Sequence, residues 1–273
     1  MKKIVAINDL SGIGRCSLSV ALPIISSLKV QCCPFPTSVL SSQTNYPEFS
    51  FLDLTSEMRT YYKKWIALNL NIDSIYTGFL GSSAQIDIVL DFIKENSHSL
   101  VLVDPILGDN GELYPIFDDC MCTKIKNLVR VASVTTPNLT EACILTNRDY
   151  NSLILTKDEL IAIAKDISNL GPDKVVITGI VNNNTISNLA YDKTNDSHFF
   201  ISTNYNHKSY SGTGDIFASI LSALLTKSYD FELAVKTATS FISSTITYTS
   251  QFDTDTNDGV MFENFLHLLT SID

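Results

Sequence analysis

Short apolar, β-branched runs alternate with longer stretches of helical period along most of the chain. The runs KIVAI (3–7), VQCCPF (30–35), SIYTG (74–78), LVLVD (100–104), SVTTP (133–137) and KVVITG (174–179) predict strands. Between them, CSLSVALPIISSL (16–28), TSEMRTYYKKWIAL (55–68), SAQIDIVLDFIKE (83–95), TKIKNLVRVA (123–132) and KDELIAIAKDISNL (157–170) predict helices. Continuous apolar strands alternating with helices define a mostly parallel sheet covered on both faces, because each parallel crossover lays a helix against it. Residues 185–191 and 198–203, separated by DKTNDS, predict an antiparallel hairpin instead, and from Asp215 onward the pattern is largely helical. The expected architecture is a three-layer α/β fold with helices on both faces of a mostly parallel central sheet and one small antiparallel hairpin. No repeat, linker or low-complexity segment interrupts it, so residues 1–273 read as a single domain.

Composition narrows the partners. A hydrophobic content of 45% with 18% charged residues supports a sizeable core, and no stretch approaches the roughly 18 apolar residues of a membrane helix. The apolar run after MKK stops at Asn8 and Asp9, too early for a signal sequence. A net charge of −10 repels nucleic acid and anionic membranes and favours a small-molecule ligand. The six cysteines and four histidines fall at spacings that suit neither a disulfide framework nor a zinc site, which points to a reducing, cytoplasmic setting.

In a parallel sheet, ligands gather beyond the carboxyl ends of the strands. The segments there read NDLSGIG, SVLSSQTNYP, TGFLGS, DPILGDNGELY, TPNLTE and SGTGD. Gly12-x-Gly14-x-x-Ser17 lacks the third glycine of a dinucleotide fingerprint, and no acid follows the second strand to bind a ribose, so it reads as a tight turn. A Walker-type P-loop is absent. Asp104 and Asp109, five positions apart across a Pro- and Gly-containing turn, suit a hydrated Mg²⁺ shared with nucleotide phosphates; equally, they suit two turn-forming acids. Asn138-x-x-Glu141 is either a helix capping box or a pair directed at metal-bound water and phosphate. In SGTGD, Gly212 and Gly214 curl main-chain N–H groups around the start of a helix, forming an anion hole. With a γ-phosphoryl group in that hole, Asp215 stands where a base must accept the proton of an attacking hydroxyl. An acidic chain that holds a nucleotide needs local cations, and Lys208 and Arg15 are the nearest in sequence.

Taken in order, YTGFLG, VDPILGDNG, TPNLTEA, VVITG and SGTGD resemble the pyridoxal/pyridoxamine (vitamin B6) kinases of the ribokinase-like superfamily, over nearly the whole chain. GTGD is shared with sugar kinases of that superfamily, whereas YTGxLGS with DPxxGDxG is more specific to the vitamin kinases. The resemblance implies ATP-dependent phosphorylation of the 5′-hydroxymethyl group of pyridoxamine, pyridoxal or pyridoxine. Asp215 is then the base, with Gly212, Thr213 and Gly214 as the anion hole. Asp104, Asp109, Asn138 and Glu141 fall in the ATP-phosphate and metal region, with Asp104 and Glu141 on the metal, and Thr136 and Thr178 lie near the nucleotide. Asp9 and Thr44 match the acceptor pocket, and Phe79 stands there where a tyrosine is usual. Mg²⁺, often with K⁺, and a homodimer without the large sugar-kinase lid are also implied. Asp9 departs from the serine common in pyridoxal kinases, and its carboxylate would favour a cationic acceptor such as pyridoxamine. Hydroxymethylpyrimidine kinases of thiamine synthesis are also similar, but typically carry cysteine at the position of Asp215. A non-catalytic binder on the same scaffold would need no base.

Overall fold

The structure, a computed structural model, describes residues 1–115, 118–153 and 156–272. Its contacts divide into two compact units, one built from Met1–Leu100 with Asn206–Asp273 and the other from Val101–Tyr205.

The first unit opens with β1 (Lys3–Ile13), α1 (Ser17–Ser27), β2 (Gln31–Ser42), β3 (Phe51–Asp53), α2 (Thr55–Ala67), β4 (Ser74–Thr77) and α3 (Ser83–Glu95). Its strands lie in the order β4-β1-β2-β3; β1 pairs in parallel with β2 and β4, and the short β3 runs antiparallel to β2. Ile4, Val5, Ala6 and Ile7 are all fully buried. Consecutive strand residues point to opposite faces, so both faces of β1 are covered, as the unbroken apolar run required.

β1 and β2 run further than their apolar cores suggest. Pairing continues past a register shift between Asn8 and Leu10 to Leu10↔Val39, Ser11↔Leu40 and Ile13↔Ser42. The polar stretch expected to be a loop is therefore strand, and Gly12 lies inside it rather than in a turn. A Cβ on Gly12 would stand 2.8 Å from the Ser41 carbonyl oxygen, so glycine is needed for the close approach of the two backbones.

The second unit contains β5 (Leu100–Val103), β6 (Gly108–Asp109), β7 (Glu112–Leu113), α4 (Asp119–Arg130), β8 (Val134–Thr135), α5 (Leu139–Thr146), α6 (Lys157–Leu170), β9 (Lys174–Asn182), β10 (Thr185–Asp192) and β11 (Ser197–Asn204). The order is β11-β10-β9-β8-β5, parallel from β5 to β9 and antiparallel through the expected hairpin, with β6 and β7 as a separate pair. The first helix of this unit starts a turn before the expected 123, because the Asp118 carboxylate accepts the Met121 N–H at 2.8 Å.

The chain then returns to the first unit with α7 (Thr213–Thr226), α8 (Phe231–Thr249) and α9 (Leu266–Thr270). α7 packs on α1, α8 and β4, and every residue from Asp215 to Thr226 is buried. The sheet-and-helix architecture is the mostly parallel α/β class expected from the hydrophobic pattern. Among the described residues, no helix is long and apolar enough to cross a membrane.

Candidate active site

Gly212 starts α7 in the left-handed region, φ +76°, and no side chain caps the helix there. A Cβ at this position would stand 1.8 Å from the Arg15 carbonyl oxygen, so only glycine fits the turn. The first main-chain N–H groups of α7 have no intrahelical acceptor and lie at the positive end of the helix dipole. Gly214 is exposed and Thr213 half-buried, with the Thr213 hydroxyl donating to the Tyr210 carbonyl at 3.2 Å. Residues 212–214, expected to form an anion hole, thus lie at an uncapped helix start.

Asp215, in the first turn, turns its carboxylate into the unit and is 9% exposed. Its Oδ1 accepts from Asn8 Nδ2 at 2.9 Å and from the Tyr76 hydroxyl at 3.2 Å, and its Oδ2 accepts from the Ser17 main-chain N–H at 2.8 Å. Desolvation by burial pushes its pKa up to about 6; the charge of Asp9 adds to the rise, and the three donors oppose it. The result is a carboxylate that is largely ionised at neutral pH yet more basic than an exposed aspartate.

Asn8 is the pivot of this cluster. While its amide N–H₂ holds Asp215, its Oδ1 accepts from the main-chain N–H groups of Phe79 at 2.8 Å and Asp9 at 3.0 Å. A Cβ on Gly78 would stand 2.2 Å from Asn8 Nδ2, so the glycine of YTGFLG makes room for that side chain. Asp9 is 6% exposed, accepts from the Ser17 hydroxyl at 2.5 Å and the Ser11 hydroxyl at 2.8 Å, and has its pKa raised, chiefly by burial. Asn8 and Tyr76 were not singled out as site residues by sequence reasoning, and Ser17 was noted only as standing in place of a third glycine. The available signal was a fully buried strand, SIYTG, carrying a phenol that must find a partner.

Around this centre, the turn after β2 meets the short 3-10 helix of residues 256–258. Gln43 donates to the Asn257 carbonyl at 3.1 Å, and the Tyr46 hydroxyl bonds the Asp258 carboxylate. Thr44 lies exposed in that turn, while Phe79 is half-buried and accepts, through its carbonyl, the Thr37 hydroxyl at 3.1 Å. Lys208 is exposed, four residues before Gly212. Arg15 is engaged elsewhere, with Glu263 at 2.6 Å and the Asp258 carbonyl at 3.3 Å.

The second unit holds the other sequence-predicted residues. Asn138 caps α5 in a complete capping box: its Oδ1 accepts from the Glu141 N–H at 2.9 Å, and Glu141 Oε2 accepts from the Asn138 N–H at 2.9 Å. Glu141 does more than cap. Its Oε1 accepts from the Leu107 N–H at 2.9 Å, and Asn138 Nδ2 donates to the Gly108 carbonyl at 2.8 Å, so the pair clamps the turn that follows β5. That turn includes Ile106 at φ +42°, a conformation a β-branched residue adopts only when its surroundings enforce it. Burial raises the Glu141 pKa, with the Asp109 charge adding to it and the main-chain donors opposing it.

Asp104 is buried and accepts from the Thr136 hydroxyl at 3.1 Å. Asp109 is exposed and accepts from the Asn110 N–H at 2.9 Å at the mouth of a two-residue hairpin, where Asn110 and Gly111 take φ +53° and +85°. The turn-forming alternative is thus realised for Asp109. Thr178 sits beside Asn138, its N–H donating to the Pro137 carbonyl at 2.9 Å. Among the described residues, no group of three or more His, Cys, Asp or Glu is arranged to hold a metal ion. Mg²⁺ needs only one or two carboxylates because it keeps most of its water. Both Glu141 oxygens already accept main-chain N–H groups, so its chemistry fits contact with the water shell of such an ion.

Comparison with known proteins assigns the class. Residues 22–260 match the phosphomethylpyrimidine kinase family, and the chain belongs to that family. The fold is similar to a candidate phosphomethylpyrimidine kinase from Bacteroides thetaiotaomicron crystallised with pyridoxal, 42% identical with a TM-score of 0.94, covering 98% of this chain and 95% of that one. It is also similar to the pyridoxal kinase of Lactobacillus plantarum, 28% identical with a TM-score of 0.91, covering 100% and 98% of the two chains. Pyridoxine kinase of Bacillus subtilis is 31% identical over 185 residues, which is 65% of this chain and 65% of that relative's length. The fold is accordingly the ribokinase-like fold of the pyridoxal kinases, and the family is one of kinases.

Proposed function

We propose that the chain is an ATP-dependent kinase that phosphorylates the 5′-hydroxymethyl group of a B6 vitamer. The observation that carries this reading is the Asp215 carboxylate, buried in the first turn of α7 beside an uncapped helix start and held by three donors. Such a group takes the proton from an acceptor hydroxyl as its oxygen attacks the γ-phosphorus of ATP; the bond to the β-phosphate oxygen breaks and ADP leaves. N–H groups of residues 212–214 stabilise the charge on the transferring phosphoryl group. Thr44 and Phe79 are assigned to the acceptor side. Asp104, Asp109, Thr136, Asn138, Glu141, Thr178 and Lys208 are assigned to the nucleotide side. Mg²⁺, when bound, would neutralise phosphate charge, with Asp104 and Glu141 as the residues that meet it and its water.

The pyridoxal in the Bacteroides relative supports a B6 acceptor. The family description favours a second reading, hydroxymethylpyrimidine phosphorylation, which uses the same geometry on a related heteroaromatic alcohol. Asp215 in place of cysteine supports the first. A coupled ADP-release assay across pyridoxal, pyridoxamine, pyridoxine and hydroxymethylpyrimidine separates them: B6 vitamers should exceed the pyrimidine in kcat/KM, and the reverse order would overturn the choice. Asp215→Asn should bind acceptor and lose turnover, whereas a non-catalytic binder would turn over with neither form. Lys208→Ala should raise KM for ATP; an unchanged KM removes Lys208 from the nucleotide side. A K⁺ requirement and a homodimer are further proposals. The exposed cross-strand row Leu10, Val39 and Leu52 supports an apolar contact face, and sedimentation of Leu52→Glu tests it.

A further inference from the structure

Ser17 begins α1 with φ +53°, a left-handed conformation that serine rarely adopts without enforcement. The conformation gives the residue two functions at once. Its main-chain N–H donates to Asp215 Oδ2 at 2.8 Å, and its hydroxyl donates to Asp9 Oδ1 at 2.5 Å. The second oxygen of Asp9 accepts from Ser11, so both oxygens of this nearly inaccessible carboxylate hold serine hydroxyls of its own unit. Asp9 is also joined in sequence to Asn8, which holds the other oxygen of Asp215 at 2.9 Å.

We infer that Asp9 is a positioning residue for Asp215, acting through Ser17, an assignment that rests on Asp215 being the base. Removing the Asp9 charge leaves the Ser17 hydroxyl with a weaker acceptor and frees the strained residue to relax, which shifts the N–H that aims Asp215. Charge acts alongside geometry. The titratable groups facing Asp215 are Asp9 from β1, Cys16 at the start of α1 and Tyr76 from β4. Burial beside the two carboxylates pushes the Cys16 thiol up to about 12, so it stays neutral, and Tyr76 serves as a donor. Asp9 supplies the like charge that makes Asp215 hold a proton more tightly.

This assignment differs from a role in reading a cationic acceptor, and steady-state kinetics against pH distinguish the two. In the full chain, Asp9→Asn should lower kcat about tenfold for every hydroxymethyl acceptor alike, with acceptor KM within about twofold, since misplacing a reacting group costs rate rather than binding. The acidic limb of kcat/KM should move to lower pH, because the like charge that raises the Asp215 pKa is gone. Ser17→Gly keeps the main-chain donor, tolerates the positive φ and deletes the hydroxyl; it should reproduce the kcat loss and gives an answer even if Asp9→Asn does not fold. A folded variant with unchanged kcat and an unmoved acidic limb overturns the inference. So does a loss confined to amine-bearing acceptors, which would make Asp9 a ligand-reading group. Full activity in Asp215→Asn would instead remove the base reading itself, and this inference with it.

Discussion

Burial holds the Asp215 carboxyl near 6 in the folded chain, against 3.8 for a free aspartate. Above pH 6 the folded protein therefore carries an ion it would rather not have, and this group's contribution to stability is lost as pH rises from about 4 through 6. Asp215→Asn should raise the melting temperature at pH 7–8 by an amount equivalent to at most about 3 kcal/mol, with the gain fading toward pH 4. Turning an amide N–H₂ toward one of the three donors reduces that gain. The same substitution should cost about 10²- to 10⁴-fold in kcat, so a variant that is both more stable and inactive is the expected signature, read by thermal melts and turnover on one sample. In the parent protein, kcat/KM should rise with pH through an acidic limb near 6, set by the same carboxyl. Gly212→Ala should act oppositely. Forcing a Cβ against the Arg15 carbonyl at positive φ should lower stability by about 2 kcal/mol or more and abolish turnover. A melt unchanged within a degree would count against that geometry. The helix start at Gly212 with Asp215 in its first turn was legible because two glycines and an acid directly before an apolar run mark such a start. Asn8 was not, since an asparagine closing an apolar run looks the same whether it faces water or a carboxylate 207 positions away.

Elements divide along the same line. The capping box Asn138-x-x-Glu141 is a local device, with donors and acceptors three residues apart, and it forms as the pattern predicts. Its second duty, clamping the turn that holds Leu107 and Gly108, depends on a partner about 30 positions earlier and could not be seen from the motif. Asn138→Ala should therefore cost more than an ordinary cap, about 2 kcal/mol in a denaturant titration against the typical 1 for capping alone; a loss well below 1 would mean the link to Gly108 contributes nothing. β1 and β2 make the complementary point. Periodicity placed their apolar cores, but the polar ends from Asn8 to Ile13 and out to Ser42 are strands because each pairs with the other across a register shift. Several of the buried positions in these ends are serines, Ser11, Ser38 and Ser42, so hydrophobic periodicity did not mark them as strand.

At the scale of the molecule, the first unit is made from the two ends of the chain, with Val101–Tyr205 between them. α7 covers α1 and β4 and brings Asp215 to Asn8, Ser17 and Tyr76, so the N-terminal strands stay partly bare until the last quarter of the chain is present. A chain ending at Tyr205 should leave the apolar faces of α1 and β4 exposed and aggregate on expression; recovery of a soluble, cooperatively melting fragment would contradict this. By itself the sequence determined the class of the fold, the helix start at Gly212 and the acid in its first turn, because periodicity, glycine conformation and the charge of a first-turn acid are properties of neighbouring residues. Tertiary structure alone decided which donors hold the Asp215 carboxylate, that Asp9 faces serine hydroxyls, and that Arg15 pairs with Glu263. Those outcomes depend on contacts between distant segments, whose energies are set by burial and distance in the folded chain rather than by spacing along it.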